Sequence, residues 1–111
     1  MSFIESMFSL EGKIAVVTGG GGMLPSYIAV AFAKAKAKVV LWGRGTHHPM
    51  EDAARMVRKQ ADLPIDCSDV IGITVDTGST DACEQALEQT IHSFGVPDIL
   101  LNGVGGNIGR S

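Results

Sequence analysis

Residues 13–30, KIAVVTGGGGMLPSYIAV, decide the fold. The first seven, KIAVVTG, are β-branched and apolar without alternation, as in a strand buried on both faces. From Leu24 onward, Leu24, Ile28, Ala31, Phe32 and Ala35 recur at helical spacing, which predicts a helix over 24–38. Pro25 falls in the first turn, where a missing N–H leaves no bond unmade. Between strand and helix stands a glycine run, Gly19 to Gly22. Such a run serves as a flexible linker, a tight turn or a phosphate cradle. Pinned between two strong elements, it is not a linker. A bare turn stays open. The cradle has physical grounds, because a helix N-terminus offers unpaired N–H groups and a positive dipole end. Glycines let the backbone approach an anion with no Cβ in the way.

The pattern repeats along the chain. KVVLWG (38–43) reads as a second strand. MEDAARMVRKQADL follows as a helix with Met50, Ala53, Ala54, Val57 and Ala61 on one face. DVIGITVD (69–76) is a third strand, with Gly72 leaving room for close packing. Ser79 or Thr80 caps a further helix whose stripe is Cys83, Ala86, Leu87, Thr90, Ile91 and Phe94, ending near Gly95 and Pro97. DILLNGVGG (98–106) is a fourth strand. The alternation β-α-β-α-β-α-β predicts an α/β fold with a parallel sheet, helices on both faces and right-handed crossovers.

Composition agrees. Of 111 residues, 45% are hydrophobic and 19% charged, which fits one globular domain with its own core. The net charge is -3, no Lys/Arg cluster exceeds two neighbours, and aromatics are 5%, so a nucleic-acid partner is not expected. No apolar run is long enough for a membrane span. The opening residues carry acidic side chains and no basic segment, unlike a secretory signal, so a cytoplasmic location is expected. Cys67 and Cys83 lack CxxC spacing and read as buried reduced thiols. His47 and His48 are adjacent and so point in different directions; a solvated loop fits them better than a metal site.

The stretch from Lys13 to Arg44 resembles the opening of a short-chain dehydrogenase/reductase, a family that begins strand–T-G-x-x-x-G-x-G–helix. Thr18 and Gly19 match; the second motif glycine falls on Met23 and the third on Pro25. A sugar-acid branch resembling D-mannonate oxidoreductases also carries TGGGG before a bulky apolar residue. Two later stretches extend the resemblance over essentially the whole chain. TVDTGS places Asp76 and Thr77 after the third strand, where the family has an acidic residue against the adenine. ILLNGVGGN resembles the family's N-N-A-G signature, read as Asn102, Gly103, Val104 and Gly105. Taken alone, Asp76 and Asn102 are also ordinary turn residues.

The resemblance implies the first half of a Rossmann-type doubly wound parallel sheet, strand order 3-2-1-4, with residues 1–111 a segment that stops before the catalytic half. It implies cofactor contacts from Gly19, Gly21, Gly22, Met23, Leu24, Arg44, Asp76, Thr77, Asn102, Gly103 and Val104. NAD enzymes place an acid at the end of the second strand to hold the ribose hydroxyls. Here Gly43 and Arg44 stand there instead, which favours NADP over NAD, since a guanidinium suits a 2′-phosphate.

The family's chemistry uses Y-x-x-x-K and a Ser. The one tyrosine, Tyr27, is followed four residues on by Ala31, so no catalytic residue is assigned within the chain. The expected function is the cofactor-binding part of an oxidoreductase passing hydride between nicotinamide and an alcohol or ketone, with a sugar acid such as D-mannonate or D-fructuronate as substrate. The expected whole protein is a homo-oligomer, and the 111 residues alone are inactive. A non-catalytic dinucleotide-binding or regulatory module, or an interaction protein that has lost the ligand, are the alternatives.

Overall fold

A computed structural model describes residues 9–19, 23–45 and 49–103, the side chains of Met23 and Leu24 excepted. Strand β1 (Ile14–Thr18) runs between β2 (Lys38–Gly43) and β4 (Ile99–Asn102), and β3 (Val70–Thr74) lies outside β2. All three pairings are parallel, so the sheet order is β3-β2-β1-β4, as the resemblance implies. Helices α1 (Met23–Lys34), α2 (Met50–Gln60) and α3 (Thr80–Ser93) make the crossovers. All five residues of β1 are buried, which accounts for its unbroken apolar run.

Alternate side chains of the strands feed two cores. Val17, Val39, Leu41 and Val70 pack with Ala29 and Ala33 of α1 and Met50, Ala54 and Val57 of α2. Val16, Val40, Trp42 and Ile73 pack with Ala86 and the half-buried Cys83 of α3. The sheet is therefore covered on both faces. At the start of β4 the Asp98 carboxylate accepts from the Ile14 amide (3.0 Å), while the Asp98 amide donates to the Ile14 carbonyl (2.8 Å). This reciprocal pair sets the register of β4 on β1.

Three helix details differ from the sequence expectation. In α1 the buried line is Ala29 and Ala33, whereas Ala31 is exposed. The helix is apolar nearly all round, so periodicity alone could not set its phase, and the small alanines go where the helix comes nearest the sheet. It also ends at Lys34, short of 38. Lys36 takes the left-handed conformation (φ 76), its amide donates to Ala33 (3.0 Å) and that of Ala37 to Phe32 (3.1 Å), a Schellman closure that turns the chain into β2. Asp62 (φ 60) closes α2 the same way. In α3 the inward line is Ala86 and Thr90, while Leu87 (39%) and Ile91 (42%) are exposed. Cys67 and Cys83 are half-buried free thiols, less covered than expected.

Two polar side chains are built into the core. Arg58 is only 6% exposed; it donates to the Val70 carbonyl (2.6 and 3.0 Å), the Ile65 carbonyl (3.0 Å) and Glu51 (2.8 Å), and so ties α2 to the edge of β3. The Trp42 indole donates to the buried Thr90 hydroxyl (3.3 Å), which donates in turn to the Ala86 carbonyl (2.9 Å). Among the described residues every buried side-chain polar atom has a partner.

Gly72 sits where α2 begins against β3. A Cβ there would strike the Met50 carbonyl oxygen and lie 2.7 Å from its carbon, a backbone contact that cannot swing away. Gly72→Ala is expected to cost about 2–3 kcal/mol in denaturant unfolding, within the range for overpacking; a loss below about 0.5 kcal/mol, the level of an ordinary surface change, contradicts this contact. Lys36→Gly, by contrast, removes a left-handed side chain and is expected to stabilise by about 1 kcal/mol in the same measurement; a loss of stability contradicts the Schellman closure.

Candidate functional site

The carboxyl ends of the parallel strands carry most of the residues singled out in the sequence. β1 ends at Thr18, and Gly19 turns the chain away with φ 72, a left-handed angle that a side chain would oppose. The Gly19 amide donates to the Trp42 carbonyl (2.8 Å), anchoring the turn to β2. Thr18, Trp42 and Asn102 are register partners across the sheet. The buried Thr18 hydroxyl accepts from the Gly103 amide (3.0 Å). Its single proton goes to Asn102 Oδ1 (3.0 Å) or to the Leu101 carbonyl (3.3 Å). One hydroxyl thus joins the end of β1 to the end of β4.

Gly103 also answers the Pro25 departure from the family motif. A Cβ on Gly103 would lie 2.5 Å from Pro25 Cγ and 2.8 Å from the Thr18 carbonyl oxygen. Where the motif has a glycine on the helix, this chain has a proline on the helix and a glycine on the facing strand end. Close helix–strand approach is kept with the small residue on the other side.

Beyond β3, the Asp76 Oδ1 atom accepts from the Gly78 amide (2.9 Å) and from Arg44 Nη2 (3.3 Å). No acid stands directly at the end of β2, yet the fold brings the Asp76 carboxylate to Arg44. Ser79 is the N-cap of α3, its hydroxyl accepting from Ala82 (3.2 Å), as one of the two cap candidates predicted. A cavity of about 350 Å3 opens between these strand ends and the first turn of α3, lined by Thr18, Trp42, Thr77, Cys83, Leu100 and Asn102. A wider depression of about 790 Å3 lies elsewhere, between the outer side of α2 and the segment through Ile65, with Asp52, Arg55 and Met56 on its wall. It holds none of the residues singled out in the sequence.

Gly19, Arg44, Asp76, Thr77, Asn102 and Gly103 therefore lie on one edge of the sheet. Gly21, Gly22 and Val104 fall outside the described residues, as do His47, His48 and the side chains of Met23 and Leu24. Trp42, Cys83 and Leu100 line the cavity without having been anticipated. The signal for Trp42 was available, since a residue one place from the end of β2 must reach the same edge. Cys83 and Leu100 come together only through the tertiary placement of α3 and β4 about the cavity, which periodicity does not convey.

Gly103→Ala is expected to destabilise by about 1–3 kcal/mol, because Pro25 and the Thr18 carbonyl flank the added methyl group. Thermal unfolding measures this, and a Pro25→Gly exchange in the same chain is expected to recover part of the loss. No recovery would mean that Pro25 and Gly103 are not packing partners.

The profile described as short chain dehydrogenase matches residues 13–111. An uncharacterized oxidoreductase, YhdF, from Bacillus subtilis is 34% identical over 93 residues, covering 84% of this chain and 30% of that protein. Among solved structures, L-sorbose reductase from Gluconobacter frateurii, complexed with NADPH and L-sorbose, superposes with TM-score 0.74 at 31% identity, over 88% of this chain and 35% of that one. A protein from Haemophilus influenza described as a D-mannonate oxidoreductase, with bound NAD, gives TM-score 0.74 at 29% identity, over 94% and 35%. The chain spans about a third of the length of the curated relatives it matches. The strand order, the glycine turn and the match over residues 13–111 have one conclusion: the chain belongs to the short-chain dehydrogenase family.

Proposed function

We propose that these 111 residues are the dinucleotide-holding segment of an NAD(P)-dependent oxidoreductase, with the acid–base groups supplied from outside them. The observation that carries this reading is the convergence of Gly19, Asp76, Asn102 and Gly103 on the carboxyl edge of a parallel sheet, beside the start of α1. That edge is where open α/β sheets take ligands. The first turn of α1 holds no acidic residue, so nothing there opposes a diphosphate at the helix N-terminus. Gly19 and the following glycines, with the backbone at Met23 and Leu24, hold the diphosphate. Asp76 and Thr77 border the adenine, Arg44 meets the 2′-phosphate, and Asn102 and Gly103 serve the nicotinamide half, a role the family resemblance extends to Val104. The bound nicotinamide supplies or accepts a hydride at an alcohol or ketone carbon.

The 111 residues contain no Y-x-x-x-K, so alone they are expected to bind cofactor without turning over substrate. The substrate class is a polyol or sugar acid, a reading supported by two structural neighbours named for D-mannonate and L-sorbose. No helix among the described residues is long and apolar enough to cross a membrane. The whole protein is proposed to assemble as a homo-oligomer, as its family does.

Fluorescence titration of the intact protein with NADPH and NADH tests the cofactor assignment. Both are expected to bind, and Arg44→Asp is expected to weaken NADPH by about tenfold or more, the value of one charge-assisted contact, while NADH changes far less. Failure of both dinucleotides to bind overturns the reading.

A further inference from the structure

We propose that Asp76 is a specificity-determining residue: its carboxylate holds the Arg44 guanidinium and thereby moderates the preference for a 2′-phosphorylated dinucleotide. This rests on the cofactor reading above, and concerns how strongly the site tells NADP from NAD rather than whether it binds them.

The Asp76 carboxylate is the fixed partner. Its Oδ1 atom accepts from the Gly78 amide at 2.9 Å, two residues on, which closes a local turn. Arg44 is the adjustable partner, a long side chain just past β2 whose Nη2 comes to 3.3 Å from the same oxygen. Both side chains are more than half exposed, at 66% for Arg44 and 56% for Asp76. In such a setting the pair adds little to stability, about 0–1 kcal/mol. Its effect on a nearby anion is larger. A phosphate monoester carries a charge of about -1.5 to -2 at neutral pH. Approaching a lone guanidinium, that charge meets one positive partner. Approaching this pair, it meets a net charge near zero and must share the guanidinium with an anchored carboxylate.

The guanidinium has five N–H donors, and Asp76 engages one nitrogen. The others stay available, so a 2′-phosphate is admitted but its advantage is reduced. The ribose hydroxyls of NAD are neutral and are indifferent to the Asp76 charge. The expected behaviour is use of both dinucleotides with a modest preference for the phosphorylated one. Asp76→Asn retains a side-chain oxygen for the Gly78 amide and removes the charge, which isolates the electrostatic part.

The readout is the ratio of NADH to NADPH dissociation constants, from fluorescence titration of the intact protein at low salt. Adenine and diphosphate contacts are common to both dinucleotides and cancel in the ratio. Asp76→Asn is expected to raise the ratio about three- to tenfold, the order of the Coulomb effect of one carboxylate on a nearby doubly charged phosphate in water, with partial screening. The gain should shrink in 0.5 M salt. Asp76→Ser, also neutral, serves as the second variant should Asp76→Asn fold poorly by circular dichroism, and the same rise is expected. An unchanged or lowered ratio, with both dinucleotides still binding, overturns the role of Asp76 and leaves the cofactor reading standing. Absence of binding by the unmodified protein overturns both.

Discussion

The Thr18 hydroxyl is the point on which the site's geometry depends. It receives the Gly103 amide and gives its proton to the end of β4, so one oxygen joins the end of β1 to the end of β4 and the chain leaving it. The Gly103 amide also reaches the Thr18 carbonyl (3.2 Å), so residue 18 holds that amide through both its backbone and its side chain. The left-handed Gly19 turn begins one residue later. Its amide bond to the Trp42 carbonyl carries the constraint across to β2. The position of α1's first turn relative to the sheet follows from these few bonds and from the contact of Pro25 with Gly103.

Parallel pairing explains why such a small set of bonds suffices. Every strand points the same way, so every strand end and every helix start that follows it gathers on one edge. Both faces of the sheet are clothed with helices, which leaves polar and glycine residues to that edge. The opposite edge is secured by different means: the reciprocal Asp98–Ile14 bonds there fix β4. On the outer side of the sheet, buried Arg58 links α2 to β3. Leu100, 67% exposed on β4, is the apolar exception near the cavity.

Much of this was legible in the sequence because it is carried by local patterns. Unbroken apolar runs marked β1 and β2, Pro25 and the Ser79–Thr80 pair marked the starts of α1 and α3, and Gly72 announced a close contact that the Met50 carbonyl makes real. The order of the strands and the candidate residues Gly19, Asp76, Asn102 and Gly103 came through a family resemblance, and the structure brings those residues to one edge. What escaped is tertiary. Arg58 reads as an exposed helix charge until the β3 backbone is placed beside it. The phase of α1 is invisible in a segment apolar on every side. Lys36 and Asp62 occupy left-handed positions where glycine is the usual signal, so the helix ends were misplaced. The Arg44–Asp76 pair joins residues 32 apart in sequence, and no spacing rule links them.

The claim that the carboxyl edge of β1 and the N-terminus of α1 take the dinucleotide is tested most directly by amide NMR of the intact protein titrated with NADP. Binding there shifts the amides of Gly19, Asp76, Gly78, Asn102 and Gly103 and leaves those along Asp52 to Ile65 in place. Shifts confined to the Asp52–Ile65 depression, with the Gly19 and Gly103 amides unmoved, would contradict it.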